Sequence, residues 1–333
     1  MTPRRILLTL ISVLLAIATG TLAQTPAPPP PAPAASPALA SPSPSPSPTP
    51  SPVSAIRGKL AAGDLLSAES VLEVHRLQHG EDGPWLVGLS WLGRGAFMLG
   101  DMERAQRYAS RARAICAQRI ARGDSLEKDH DLEAALGAAI EVEAQRLERL
   151  RGPRVAAEYA RGELARLPAM PALRSRIQKR INLLTLVGTT APELVIEDAI
   201  GAPPPTLASM RGRPIVLFVW AEWCGDCRGQ SGALAKMRAR YAPRGVQFVT
   251  VTRYYDDVGH RVQEKARVDS VWKAVYADVG PLPSVISTAS MERYGGSSTP
   301  TFVFIDKRGI VRDYAPTRLT EEELERRIAA IEK

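Results

Sequence analysis

Apolar and polar positions follow four different rhythms along this chain. The first 23 residues open on Arg4 and Arg5, run apolar from Ile6 to Ala18 and close on Thr21-Leu22-Ala23 before Gln24. Residues 24–52 have no rhythm and are almost wholly Pro, Ala, Ser and Thr. Across residues 53–187 apolar positions recur at helical spacing, with breaks at 80–84, 122–124, 151–153 and 167–168 where Gly, Pro or Asp intervenes. From 188 onward, short apolar runs at 215–220, 246–251 and 302–305 alternate with amphipathic stretches, the pattern of buried strands between helices. The expected architecture is an all-α region followed by a layered α/β domain.

Within the α/β part, a helix is expected over 226–241, a strand over 246–251 and a polar helix over 259–276. Val285 and Ile286, then a short helix around 291–294, precede a loop at Thr299-Pro300. Residues 306–309 make a hairpin turn, and a closing helix over 320–331 begins with Thr320 and Glu323 as a capping box. In the α part, Asp124 with Glu127 reads as a helix start. Gly63, Gly100 and Gly152 each stand five residues before an alanine (Ala68, Ala105, Ala157), which sets a turn residue ahead of an amphipathic helix. In the middle copy Leu92-Gly93 lies upstream of Ala105 at a spacing that resembles tetratricopeptide repeats, where small residues let paired helices approach closely. That resemblance implies a groove for a partner protein; a packed accessory domain is the plainer alternative. Trp85, Trp91, Phe97 and Met98 read as core, and Cys116 as a buried inert thiol. Arg104, Arg107, Arg111 and Arg113 read as a solvated face.

Composition changes the picture mainly at the N-terminal end. A basic start, a short apolar core and small residues before a polar one make residues 1–23 a secretory signal peptide, so the protein is expected to be periplasmic or otherwise exported. Residues 6–23 are also just long enough to weigh as an uncleaved membrane anchor. No cysteine follows the expected cut after Ala23, which speaks against a lipoprotein. Residues 24–52 have nothing to bury and read as a disordered Pro/Ser/Ala-rich linker. The formal charge is +8 over 333 residues. Its basic residues show no aromatic interleaving, so no nucleic-acid partner is expected.

The chemistry centres on Trp223-Cys224-Gly225-Asp226-Cys227, directly after the apolar run 215–220. Two cysteines three apart at a helix start can close a disulfide with little backbone movement. The first lies where unpaired N–H groups favour a thiolate, the nucleophilic form. A zinc site would need about four ligands, and only Cys116 and four scattered histidines remain, so no metal is expected. A permanent disulfide across so short a loop would be a poor staple, and a fold kept only for binding would usually have lost a cysteine.

Taken with Trp220-Ala221-Glu222 before the pair and Ser298-Thr299-Pro300-Thr301 beyond it, the motif resembles the thioredoxin superfamily. Residues 188–333, opening on Gly188-Thr189-Thr190-Ala191-Pro192, are similar to exported thioredoxin-like reductases of the TlpA and ResA type. The resemblance implies an α/β thioredoxin-like three-layer sandwich behind the helical domain of residues 53–187. It also implies an added N-terminal β-hairpin over 188–201. Carried over residue by residue, Cys224 is the exposed attacking thiol and Cys227 the buried resolving thiol. Trp223 shields the site, Pro300 is cis, and the Thr299 backbone pairs with an extended substrate. Phe218 and Gln230 stand where such proteins often carry buried carboxylates, and Asp226 replaces a frequent proline. A carboxylate at 226 repels a neighbouring thiolate, so the first thiol is expected to be less acidic than a strong oxidant's. Glu222 reads as solvated.

The implied function is an exported thiol–disulfide oxidoreductase that reduces protein disulfides without metal or organic cofactor. Electrons would come from a dithiol donor, expected to be membrane-bound. Two alternatives stay open: an adaptor whose helical domain recruits a partner, and a redoxin-like peroxide reductase. The second lacks the Thr/Ser-x-x-Cys arrangement.

Overall fold

The computed structural model describes residues 51–201, 203–256 and 258–333. The signal-peptide and anchor readings of residues 1–23, and nearly all of the 24–52 linker, lie outside these. Among the described residues no helix is long and apolar enough to cross a membrane.

Three helical hairpins come first: α1 (Pro52–Ala61) with α2 (Leu65–His79), α3 (Gly83–Met98) with α4 (Met102–Ala121), and α5 (His130–Arg151) with α6 (Pro153–Arg166). Each pair turns on a left-handed glycine, Gly63, Gly100 and Gly152, with φ of 76°, 84° and 88°. A side chain there would be strained, which is why the turn residue is glycine. Asp64 and Asp101 cap the helices that follow, and Pro153 opens the third. Ala68, Ala105 and Ala157 are fully buried. The first helix of each pair packs on the first helix of the next, and α7 (Pro171–Thr185) ends the series against α5 and α6.

Local readings fail here at Met98 and at Asp124. Met98 is 78% exposed, so it is not core. The four arginines of α4 do form a solvated face, 35–57% exposed, on which Arg104, Arg107, Arg111 and Arg113 pair with Asp101, Glu103, Glu81 and Glu163. Arg111 also lies over the buried Trp85 ring. Asp124 caps nothing, because Arg119 Nε takes its carboxylate at 2.8 Å, and α5 starts instead at Asp129, which accepts from the Leu132 N–H.

The α/β part is a six-stranded sheet in the order β1-β4-β3-β2-β5-β6, formed by β1 (Asp198–Ile200), β2 (Ile215–Val219), β3 (Gln247–Thr252), β4 (Ser284–Ile286), β5 (Thr301–Ile305) and β6 (Val311–Ala315). Strands β2, β3 and β4 run parallel, while β5 runs antiparallel to β2 and β6 to β5. Every residue of β2 is buried. Side chains alternate across a strand, so Val216 and Phe218 join one core and Ile215, Leu217 and Val219 the other. The first core is closed by α9 (Ser231–Tyr241), α10 (Arg261–Val275) and α12 (Glu321–Glu332). The second is closed by α11 (Thr288–Arg293) and the segment after α7. The Thr320/Glu323 capping box is formed at α12.

The expected opening hairpin is absent. Residues 188–191 instead add to the edge beside β6, where the Gly188 and Ala191 N–H groups donate to Val311 and Gly309 carbonyls. β1 pairs antiparallel with β4. The strand partners lie about a hundred residues away, out of reach of a local reading.

The described residues from 51 to 333 form one compact unit, and α7 holds its two parts together. Arg174 pairs with Glu292 at 2.8 Å, the Asn182 amide donates to the Arg293 carbonyl at 3.0 Å, and Lys179 Nζ donates to Ser298 Oγ at 2.9 Å. A Cβ on Gly295 would fall 2.5 Å from Lys179 Cα, so α7 can approach this loop only over a glycine. The helical array is thereby fixed one residue from Thr299.

Candidate active site

Strand β2 ends at Val219 in the middle of the sheet, and the chain then turns through Trp220, Ala221, Glu222 and Trp223 into the short helix α8 (Gly225–Arg228). This is the carboxyl end of the parallel strands β2 and β3, where open α/β sheets place their ligands. Cys224 is the N-cap of α8: the Cys227 N–H donates to Cys224 Sγ at 3.1 Å. On its other side the Cys224 thiol donates to the Thr299 carbonyl at 3.3 Å. The Thr299–Pro300 bond is cis. One sulfur thus touches the partner cysteine's backbone and a loop 75 residues downstream. A backbone donor aimed at sulfur makes a stronger hydrogen bond once the sulfur is charged.

Both cysteines are free thiols; Cys224, expected to be exposed, is only 5% exposed, while Cys227 is buried as expected, at 0%. The cover over Cys224 is the Thr299–Pro300 loop. Burial pushes the Cys227 thiol well above the ordinary thiol range, and the adjacent Cys224 sulfur adds to it. Asp226 is exposed, on the outer side of α8.

Trp223 is 59% exposed, the one large apolar side chain at the mouth of the site. Its ring meets Tyr255 edge-on at 5.4 Å, and the Arg253 guanidinium lies over Tyr255 at 4.5 Å. Burial pushes the Tyr255 hydroxyl up to about 12, so it stays a neutral donor. Below the dithiol an aromatic cluster of Phe218, Trp220, Trp272, Tyr276 and Phe302 fills the core. Tyr276 carries a buried hydroxyl without a partner, driven upward by burial first and then by the charge of Cys227 and Cys224. Phe218, in the place where a carboxylate was considered, is part of this dry cluster.

Two neighbours differ from expectation. Glu222 is not solvated: it is 4% exposed, with Arg267 of α10 on Oε1 at 3.2 Å and Oε2 buried without a partner. The helix expected over 226–241 breaks between α8 and α9 at Gly229 and Gln230. The buried Gln230 amide clamps Leu319 from both sides, donating to its carbonyl and accepting from its N–H, each at 3.0 Å. That clamp needs a donor and an acceptor on one side chain, which a carboxylate at this position could not supply when ionised.

Sequence reading missed Arg253, Tyr255, Glu264 and Arg267. The fully buried Glu264 accepts the Tyr255 and Asp256 N–H groups, fixing the loop after β3 that sets Tyr255 against Trp223. The paired Tyr254-Tyr255 at the end of an apolar strand was the available signal. Among the described residues no cluster of three or more His, Cys, Asp or Glu side chains is placed to hold a metal.

Residues 187–314 match the model of the AhpC/TSA family. The thiol–disulfide oxidoreductase ResA of Geobacillus kaustophilus is 26% identical over 145 residues, which cover 44% of this chain and 78% of that protein. The thioredoxin-like protein YneN of Bacillus subtilis is 24% identical over 144 residues, 42% of this chain and 78% of its own. A crystal structure of a thioredoxin-family thiol:disulfide interchange protein from Chlorobium tepidum superposes with a TM-score of 0.34 at 18% identity, over 44% of this chain and 97% of its own. With the dithiol at the end of the central strand and the cis-proline loop beside it, the C-terminal part of this chain has a thioredoxin-like fold behind an all-helical array and is similar in sequence to the AhpC/TSA family and to thiol–disulfide oxidoreductases.

Proposed function

We propose that the protein is an exported thiol–disulfide oxidoreductase that reduces disulfides in protein substrates through Cys224 and Cys227. The observation that carries this is Cys224 Sγ held between the Cys227 N–H at 3.1 Å and the Thr299 carbonyl at 3.3 Å, beside cis-Pro300. The Cys224 thiolate attacks one sulfur of the substrate disulfide, forming a mixed disulfide and releasing the other sulfur as a thiolate that takes a proton from water. Cys227 loses its proton and attacks Cys224 Sγ, and the second substrate thiolate leaves. Two electrons and two protons pass to the substrate, and Cys224–Cys227 ends as a disulfide. An external dithiol donor resets it.

In this reading Trp223 offers the exposed platform, the Thr299 backbone meets the extended substrate, Pro300 presents no N–H beside the sulfurs, and Asp226 faces solvent. Residues 1–23 would deliver the protein across a membrane or hold it there, with residues 24–52 as the spacer. The peroxide-reductase reading finds no support at the site, since Ala221 stands three residues before Cys224. Reduction of insulin with a dithiol reductant tests the proposal. The full chain is expected to turn over and Cys224→Ala to lose activity entirely; equal activity in the variant would end the redox reading.

A further inference from the structure

Between the dithiol and the helical array lies an open cavity of about 450 Å³, within the size range of ligand sites. One wall is the active site itself: Trp223, Tyr255 and Thr299. The opposite wall comes from α3, α5 and α7 and is heavily charged. Arg94, Arg176 and Lys179 all converge on one carboxylate, Glu141, at 3.0, 2.7 and 4.0 Å. These side chains are only 16–28% exposed. Arg253 adds a fourth cation at the rim, and Glu133 is the second carboxylate.

Four cations against two carboxylates leave the lining in deficit of negative charge. The deficit is felt: burial, and then Arg176, lower the Arg94 guanidinium below its ordinary value, and burial lowers the Lys179 ammonium. Glu141 pays burial too, yet Arg176, Lys179 and Arg94 hold it below the usual carboxylate range. One anion does not satisfy three half-buried cations, and each gains from another carboxylate. Lys179 also reaches Ser298 Oγ, next to Thr299, so this charge is set at the substrate side of the site.

We infer that this cavity binds a carboxylate carried by the disulfide substrate close to its sulfur, and that the helical array thereby selects acidic substrates for Cys224. The inference rests on the redox reading above and gives the helices a part in it. The natural source is an extended segment of a protein substrate, with Asp or Glu beside its cysteine, lying along Thr299. A small carboxylate disulfide offers the same chemistry.

The test uses the full chain and four disulfides: a peptide with Glu flanking the cystine, the same peptide with Lys, the small diacid dithiodiglycolate, and neutral hydroxyethyl disulfide as the reference in every protein. At low ionic strength kcat/KM for the Glu peptide is expected to exceed that for the Lys peptide by about tenfold or more, the preference shrinking as salt screens it. Lys179→Gln, which keeps a donor for Ser298, and Arg253→Gln, at the rim, should each cut that ratio several-fold. Circular dichroism and turnover of the neutral disulfide show that each variant is folded. A diacid reduced as readily as the Glu peptide would support the carboxylate site and assign it to small disulfides. Equal rates for the two peptides, with the neutral disulfide turned over, overturn the inference and leave the redox reading standing. An undiminished preference in both variants also overturns it. No turnover of any disulfide ends both readings.

Discussion

The chain buries cysteine in two places, and the two neighbourhoods differ in everything except burial. Cys116 lies mid-helix in α4, on a face with Ala105, Ala109 and Ala112, and is 0% exposed. The spacing of these small residues is that of one helical stripe, and it lets α4 settle against α3 and α5. Among the described residues its thiol's hydrogen-bond partner outside its own helix is the Leu132 carbonyl, at 3.9 Å. Burial pushes the Cys116 thiol up to about 12. Cys224 is nearly as covered, yet it lies at a strand end with a backbone donor on one side, a carbonyl acceptor on the other and an exposed tryptophan at the entrance. Burial does not mark a reactive thiol; the groups pointed at its sulfur do.

The comparison breaks most sharply at Cys227. Cys227→Ser leaves Cys224 able to attack but nothing to resolve the product, so turnover should stop and a mixed disulfide should accumulate through Cys224, visible by mass spectrometry. Free release of product by the variant would show that Cys227 is not the resolving thiol. In the intact protein, the raised Cys227 thiol must lose its proton before it attacks. Its thiolate fraction, and the rate of resolution measured by rapid quench, should therefore rise about tenfold per pH unit between roughly pH 6 and pH 9. A flat profile would mean that a neighbouring group takes the proton, and the carboxylate of Glu222, whose Oε2 is buried without a partner, is the group to replace first.

Selective alkylation sharpens the same contrast. With its thiol pushed up to about 12 by burial and no exposed surface, Cys116 carries very little thiolate at neutral pH and gives no access to reagent. Iodoacetamide should modify Cys224 in the folded protein, while Cys116 reacts only as fast as the array opens. Labelling of both at similar rates, followed by peptide mapping, would erase the distinction drawn here.

Much of this was legible in the order of residues, for local reasons. The apolar run of β2, the cysteine pair, the Thr320/Glu323 box and the glycine turns all express themselves within a few positions. The rest depends on partners far along the chain. Glu222 looked solvated because its cover, Arg267, arrives 45 residues later. The break at Gln230 is set by Leu319, 89 residues away. Residues 188–191 found an edge beside β6 rather than a neighbour of their own, and α7 reads as one more amphipathic helix until Asn182 is seen at the end of α11 and Lys179 beside the cis-proline loop. The charged wall facing Trp223 exists only because α3, α5 and α7 bring Arg94, Glu141 and Lys179 together.

The smallest effect expected is at Cys116 itself, and it tests whether that site is packing alone. Cys116→Ala removes one buried sulfur from a stripe that is otherwise alanine, so the void is small. The cost should be about 1 kcal/mol, in the range for deleting a small buried group. Cys116→Ser keeps the shape but buries a hydroxyl whose nearest external acceptor is the distant Leu132 carbonyl. Bonding back to its own helix relieves part of that penalty, leaving an expected loss of about 1–3 kcal/mol. Urea denaturation reads both values, and the order, serine worse than alanine, is the signature of an apolar site. Disulfide turnover should stay within about twofold of the parent in both variants, since RT ln 2 is only about 0.4 kcal/mol in the barrier. A larger fall in turnover, with stability unchanged, would mean that the helical array couples to the dithiol through Cys116 and that its thiol is more than a small apolar group.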